Sequence, residues 1–432
     1  MAVLSTRIGL LDTENAFKIG PKIRAIEDQG KKVIKCNLGE PDFPVPGFIK
    51  EEVKRQIDLD NTHYCDPQGI LSLRNAVARH FQTTRGIDAD PRRVVVFPGG
   101  KPPIGLSQEA YCNPGDEVIY PSPGYPIYES FTRYVGAKPV PVHLKEESGF
   151  TLSGDDISAA ITPRTRMIFL NFPSNPTGGV ASRQQLHDIA NVIKQKCSPE
   201  VRVYSDEVYE HIIFDGARHE SIITFPGMAE RTVLVSGASK SFSWTGGRIG
   251  WALFPTIEEA EIFKNLNINY FSCVSPYNQE GARLGLESPL AKDAIREMVV
   301  AFQERRDFIV EGLSSIPGIR CQKPGGAFYV FPNVRGMCER LGVFDAYKSL
   351  PVDVRKLTTP STLVQMFLLF DYQVATMDRK SFGRIGTEDM HFLRISIATD
   401  LESLKEAVAR IAQAASDESG FARFVKSGEN LY

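Results

Sequence analysis

Lys240 is the residue in this sequence best set to act as a nucleophile. It follows the apolar run Thr232-Val-Leu-Val235, which reads as the end of a buried strand, and its neighbours Gly237, Ala238, Ser239 and Ser241 are small. A lysine past a strand is ordinarily a solvated loop residue. Here the small neighbours leave room for a bulky group on the amine, and a partly desolvated amine has a lowered pKa and condenses with carbonyl compounds to a Schiff base. Ser239 and Arg248 are both able to hold a phosphate. Asp206 ends the strand-like run from Val201, a position that usually means a cap or a solvated carboxylate. Arg394 interrupts the apolar run Phe392–Ile397, where a fixed charge is costly unless paired. An ion pair would satisfy it, and so would a carboxylate gripped by its planar fork.

The elements that must position these residues alternate between strand and helix from Arg92 onward. Val94-Val-Val-Phe97 has the uninterrupted β-branched character of a strand buried on both faces. It runs into Pro98-Gly-Gly-Lys-Pro-Pro103 and a helix over 104–112, and glycines leading to a helix N-terminus suit an anion. This is not a Walker A loop, because Pro102 follows Lys101. Further strands are expected at 117–120, 167–170, 201–209, 232–235 and 249–254. Leu186, Ile189, Ala190 and Ile193 have the spacing of a helix packed on a sheet. A helix over 15–29 closed by Gly30 should precede all of this. After it come a long helix from Leu290, strands within 325–331 and 392–397, and a helix carrying Leu404, Val408 and Ile411. The polar tail from Ser416 to Tyr432 receives no assignment.

A chain of 432 residues is long enough for two domains. The formal net charge of -2, with basic residues scattered, gives no sign of a nucleic-acid or membrane surface. The expected partners are small molecules and a second copy of the chain. Seven cysteines without a C-x-x-C pair suit reduced thiols in the cytoplasm and no metal framework. Met1 to Asp12 lacks the apolar core of a signal peptide, and no apolar run is long enough to span a bilayer.

The order Ser239-Lys240 followed by Gly-Arg-Ile-Gly250 resembles the pyridoxal-phosphate lysine signature of the class I (fold type I) aminotransferases, although Trp244 stands where that family usually has a smaller apolar residue. The resemblance extends along nearly the whole chain. It implies that Lys240 carries the cofactor and that Ser239, Arg248 and the amides of Gly100 and Lys101 hold its phosphate. Pro102 and Pro103 depart from the family there and donate nothing. Tyr125 is implied to stack on the cofactor ring, with Tyr128 in reserve. Asn175, in Asn-Pro-Thr-Gly178, and Tyr209 reach its 3′ oxygen, and Asp206 its pyridine nitrogen. Gly39, in Gly-Glu-Pro-Asp-Phe43, and Arg394 bind the substrate together with Asn175, Arg394 taking the α-carboxylate. Tyr64 is implied to reach the phosphate of a neighbouring subunit, making the protein a homodimer.

The fold so implied is α/β. A large domain over 51–288 holds a mostly parallel seven-stranded sheet flanked by helices. A smaller α+β domain is built from 1–50, which includes an arm, and 289–432. The implied activity is ping-pong transfer of an amino group from an L-amino acid to a 2-oxo acid, leaning to aspartate or glutamate with 2-oxoglutarate. A C–S or other lyase on the same fold and a non-catalytic cofactor-binding regulator are the alternatives. Residues 335–360 and the turn 377–383 fall outside the resemblance, and either could shape the substrate pocket.

Overall fold

In the computed structural model, which describes residues 3–12 and 14–432, the strands are β1 (Ile34–Lys35), β2 (Val94–Phe97), β3 (Glu117–Ser122), β4 (Lys138–His143), β5 (Thr165–Asn171), β6 (Arg202–Asp206), β7 (Thr232–Gly237), β8 (Gly250–Leu253), β9 (Tyr329–Val330), β10 (Val374–Ala375), β11 (Met377–Asp378) and β12 (Leu393–Ser396). Seven of them form one sheet in the order β2-β8-β7-β6-β5-β3-β4. All its neighbours are parallel except that β8 runs antiparallel to both β2 and β7.

Side-chain alternation explains why these strands are continuously apolar. Val94 and Val96 of β2 pack with Leu73, Val77 and Phe81 on one face, while Val95 and Phe97 pack with Phe254 and Phe263 on the other. Both faces are therefore core, and the edge position of β2 does not expose it. The helix Arg183–Lys196 starts at a Ser182/Gln185 capping box and buries Leu186, Ile189, Ala190 and Ile193, as their spacing predicts.

A second region joins the two ends of the chain. β1 pairs in parallel with β10, and β12 lies between β11 and β9 in an antiparallel sheet. The long helix Leu290–Ser314 packs against it through Phe302, Ile309 and Leu313. One expectation changes here, and one unassigned stretch gains a structure. The helix expected over 15–29 is broken into Asn15–Lys18 and Gly20–Glu27, because Pro21 has no N–H to continue the ladder. The polar tail forms the helix Glu418–Ser427, whose Phe421 and Phe424 pack on Phe367. Among the described residues, no helix is long and apolar enough to cross a membrane.

Candidate active site

The C-terminal ends of β2 and of four consecutive parallel strands, β7, β6, β5 and β3, meet at one place, the usual location of a ligand crevice in an α/β sheet. β2 leads into Gly99-Gly100-Lys101, β3 to Tyr125, β5 to Asn171 and Asn175, β6 to Asp206 and Tyr209, and β7 to Ser239 and Lys240. Together with Gly39, Arg248 and Arg394 they surround a cavity of about 480 Å³. Of the residues singled out from the sequence, Tyr64 and the reserve candidate Tyr128 are not in its lining. Tyr64 lies on the surface, 88% exposed on the loop before the helix Leu71–Arg85.

Lys240 lies in the short helix Ala238–Ser241 directly after β7. Its Nζ donates to the Gly39 carbonyl at 2.5 Å and lies 5.7 Å from the Phe328 ring centroid. Burial lowers its pKa to about 8. Glu40 and Glu14 act in the opposite sense, while Arg394 and Arg248 add to the lowering. A minor but appreciable fraction of neutral amine is therefore present close to physiological pH.

Asp206 is buried at the end of β6, and Oδ2 accepts from the Tyr128 hydroxyl at 2.7 Å. Tyr128 is thus a buttress behind the carboxylate and does not itself line the cavity. Burial pushes the Asp206 carboxyl up to about 6, against the lowering effect of that hydrogen bond. Its Oδ1 has no hydrogen-bond partner among the described residues, although Asp206 faces the cavity. Asn171 holds the strand ends together: its Nδ2 donates to the Asp206 carbonyl at 3.1 Å and its Oδ1 accepts the Asn175 N–H at 2.9 Å.

The Gly99-Gly100 turn is shaped around Arg248. A Cβ on Gly99, whose φ is +96°, would lie 2.3 Å from Arg248 Nη2. Arg248 itself occupies the left-handed region at φ 53° and donates to the carbonyls of Thr245 (2.7 Å) and Pro98 (3.2 Å). Ser239, Arg248, Gly100 and Lys101 all line the cavity.

Arg394 projects from β12 and is buried. Nη1 donates to Asn175 Oδ1 at 3.0 Å and Nη2 to the Asn37 carbonyl at 2.5 Å. The guanidinium lies 4.6 Å from the Tyr329 ring centroid and 4.8 Å from that of Phe382. No carboxylate pairs with it among the described residues, and its Nε has no partner. Of the two segments outside the resemblance, 377–383 reaches this guanidinium through Phe382. Residues 335–360 form three short helices and contribute nothing to the cavity lining.

Several lining residues carried no signal in the sequence. Tyr329 shares a hydrogen bond with Tyr209 between their hydroxyls at 2.9 Å, and its hydroxyl sits where a Cβ on Gly39 would be, at 2.2 Å. Glu14 accepts from Lys101 Nζ and, at 2.7 Å, from the Tyr125 hydroxyl. Both belong to segments without a recognisable motif.

Residues 31–411 match the family described as aminotransferase class I and II. A probable aspartate/prephenate aminotransferase of Aquifex aeolicus (strain VF5) is 36% identical over 412 residues, which is 95% of this chain and 98% of that protein. An aspartate aminotransferase of Rhizobium meliloti (strain 1021) is 34% identical over 95% of each chain. A crystal structure of the aspartate aminotransferase from Rhizobium meliloti superposes with a TM-score of 0.86 at 33% identity, covering 96% of this chain and 99% of that one. A match over nearly the full length, in sequence and in fold alike, means that the chain belongs to the class I and II aminotransferases, enzymes of amino-group transfer.

Proposed function

We propose that this cavity holds pyridoxal phosphate on Lys240 and moves an amino group from an L-amino acid to a 2-oxo acid. The observation that carries the reading is the unpartnered, buried Oδ1 of Asp206 at the cavity wall across from an amine of lowered pKa. The residues fit the group: a carboxylate for a protonated ring nitrogen, a glycine turn with Arg248 and Ser239 for a phosphate, and Tyr125 for a ring face. Tyr209 and Asn175 supply polar atoms for the 3′ oxygen. Bound there, the cofactor would supply an electron sink for the charge left at the substrate Cα.

The chain's own residues do the rest. Arg394, already holding Asn175 and the Asn37 carbonyl, keeps hydrogens on Nε and on both η nitrogens for the substrate α-carboxylate. Lys240 Nζ, mostly neutral above about pH 8, would take the proton from the substrate Cα and deliver it to the cofactor C4′. Asp206, oriented by the Tyr128 hydroxyl, would be ionised opposite a cationic ring nitrogen and would favour a proton there. The relatives' names support aspartate as a donor; glutamate as an alternative donor and 2-oxoglutarate as acceptor complete the proposal.

Tyr64, exposed on this chain, completes the phosphate site of a second copy in a homodimer. The same proposal divides the chain into a large domain over 51–288 and a small one from 1–50 and 289–432. The test is a coupled assay in which aspartate or glutamate is offered with and without a 2-oxo acid. Acceptor-dependent formation of a new amino acid supports the reading. Release of pyruvate and ammonia from cysteine conjugates without any acceptor would replace it with a lyase.

A further inference from the structure

Four cationic side chains line the cavity: Lys101, Lys240, Arg248 and Arg394. The proposed function uses the last three for the reactive amine, the phosphate and the α-carboxylate. Lys101 is therefore the cation left to meet a substrate side chain, and it is already matched. Glu14, just before the helix Asn15–Lys18, reaches across to accept from Lys101 Nζ, and the Tyr125 hydroxyl fixes the same Oε1 at 2.7 Å. The Glu14 side chain is 18% exposed and that of Lys101 44%, so the carboxylate is the more enclosed partner. Aromatic surface surrounds the pair, with Lys101 Nζ 5.8 Å from the ring centroids of both Phe17 and Tyr125. Leu38 and Ile104 add further apolar wall.

We infer that Glu14 is a specificity-determining residue that weakens, without abolishing, the pocket's hold on dicarboxylic donors such as aspartate and admits neutral, apolar side chains beside them. The inference rests on the aminotransferase reading of this cavity. A substrate carboxylate approaching Lys101 must displace Glu14 or lie beside it as a like charge, and a like charge a few ångströms away in a half-enclosed site is costly. An aromatic or aliphatic side chain faces no such opposition and covers Phe17 and the pair's apolar surroundings. Glu14 therefore sets a ratio between donor classes and takes no part in the proton transfers.

The test measures kcat/KM for L-aspartate and L-phenylalanine with the holoenzyme, its Glu14→Gln variant and its Glu14→Asp variant. Taking the ratio of the two donors within one preparation removes any difference in folding or cofactor loading. Glu14→Gln is expected to raise the aspartate-to-phenylalanine ratio about tenfold, as removal of a modest like-charge opposition should, and Glu14→Asp to leave it near the wild-type value. An unchanged ratio in Glu14→Gln, with both donors slowed alike, would make Glu14 a purely structural partner of Lys101 and overturn the inference while leaving the aminotransferase reading intact. A wild-type enzyme that transaminates no donor would defeat both.

Discussion

Arg394→Lys separates a substrate-binding arginine from a structural one. The guanidinium spends one hydrogen of each η nitrogen on Asn175 Oδ1 and the Asn37 carbonyl, and it lies between the Tyr329 and Phe382 rings. What remains is a planar set of donors suited to two parallel hydrogen bonds with a carboxylate. A lysine ammonium reaching the same spot is a point charge that can satisfy one of those oxygens but cannot also bridge Asn175 and Asn37. Loss of one charge-assisted hydrogen bond costs about 1.5–3 kcal/mol. At the upper end, the drop in kcat/KM is roughly a hundredfold. Steady-state kinetics with the preferred donor should show KM rising and kcat/KM falling together, while the thermal unfolding midpoint stays within a few degrees of wild type. Wild-type values of both constants would mean that Arg394 only braces Asn175 and Asn37.

Two further outcomes are expected. Gly99→Ala places a Cβ 2.3 Å from Arg248 Nη2 at a φ of +96°, so pyridoxal phosphate should bind at least about tenfold more weakly, as measured by equilibrium dialysis; unchanged affinity would remove the turn from the phosphate site. Uptake of pyridoxal phosphate by Lys240 needs the neutral amine, whose fraction grows as pH rises toward the pKa, so the rate should climb about tenfold per pH unit below it and level off above about pH 8. A rate still climbing at that slope near pH 10 would mean an ordinary, solvated lysine.

Residues with a local signature were legible without a structure. Lys240, Asp206 and Asn175 each end an apolar run, and strand ends in an α/β fold share one crevice, so order along the chain carried most of the site. Six of the seven strands of the large sheet were legible for the same reason, as short runs largely buried on both faces; the half-exposed edge strand β4, with Pro139 and Pro141, gave no such signal. Glu14, Phe17 and Tyr329 were not, because the segments that carry them meet the cavity only when both ends of the chain pair through β1 and β10. Tyr128 was visible only as an alternative to Tyr125; its place behind Asp206 depends on the register of β3 against β5 and on the helix Pro126–Tyr134 that follows. The tail carried no assignment because Phe421, Phe424 and Leu431 are sparse among polar residues, yet the two rings meet Phe367 and all three side chains are buried.

The central claim is that Lys240 holds pyridoxal phosphate and exchanges amino groups with it. Visible absorption of wild type and Lys240→Ala, each mixed with pyridoxal phosphate and then titrated with single amino acids in the absence of any oxo acid, tests it most directly. The account predicts a yellow band in wild type that converts to the pyridoxamine form on adding a donor, and in Lys240→Ala a normally folded protein with no turnover. A wild-type protein without that band, or a Lys240→Ala variant that transaminates fully, would contradict it.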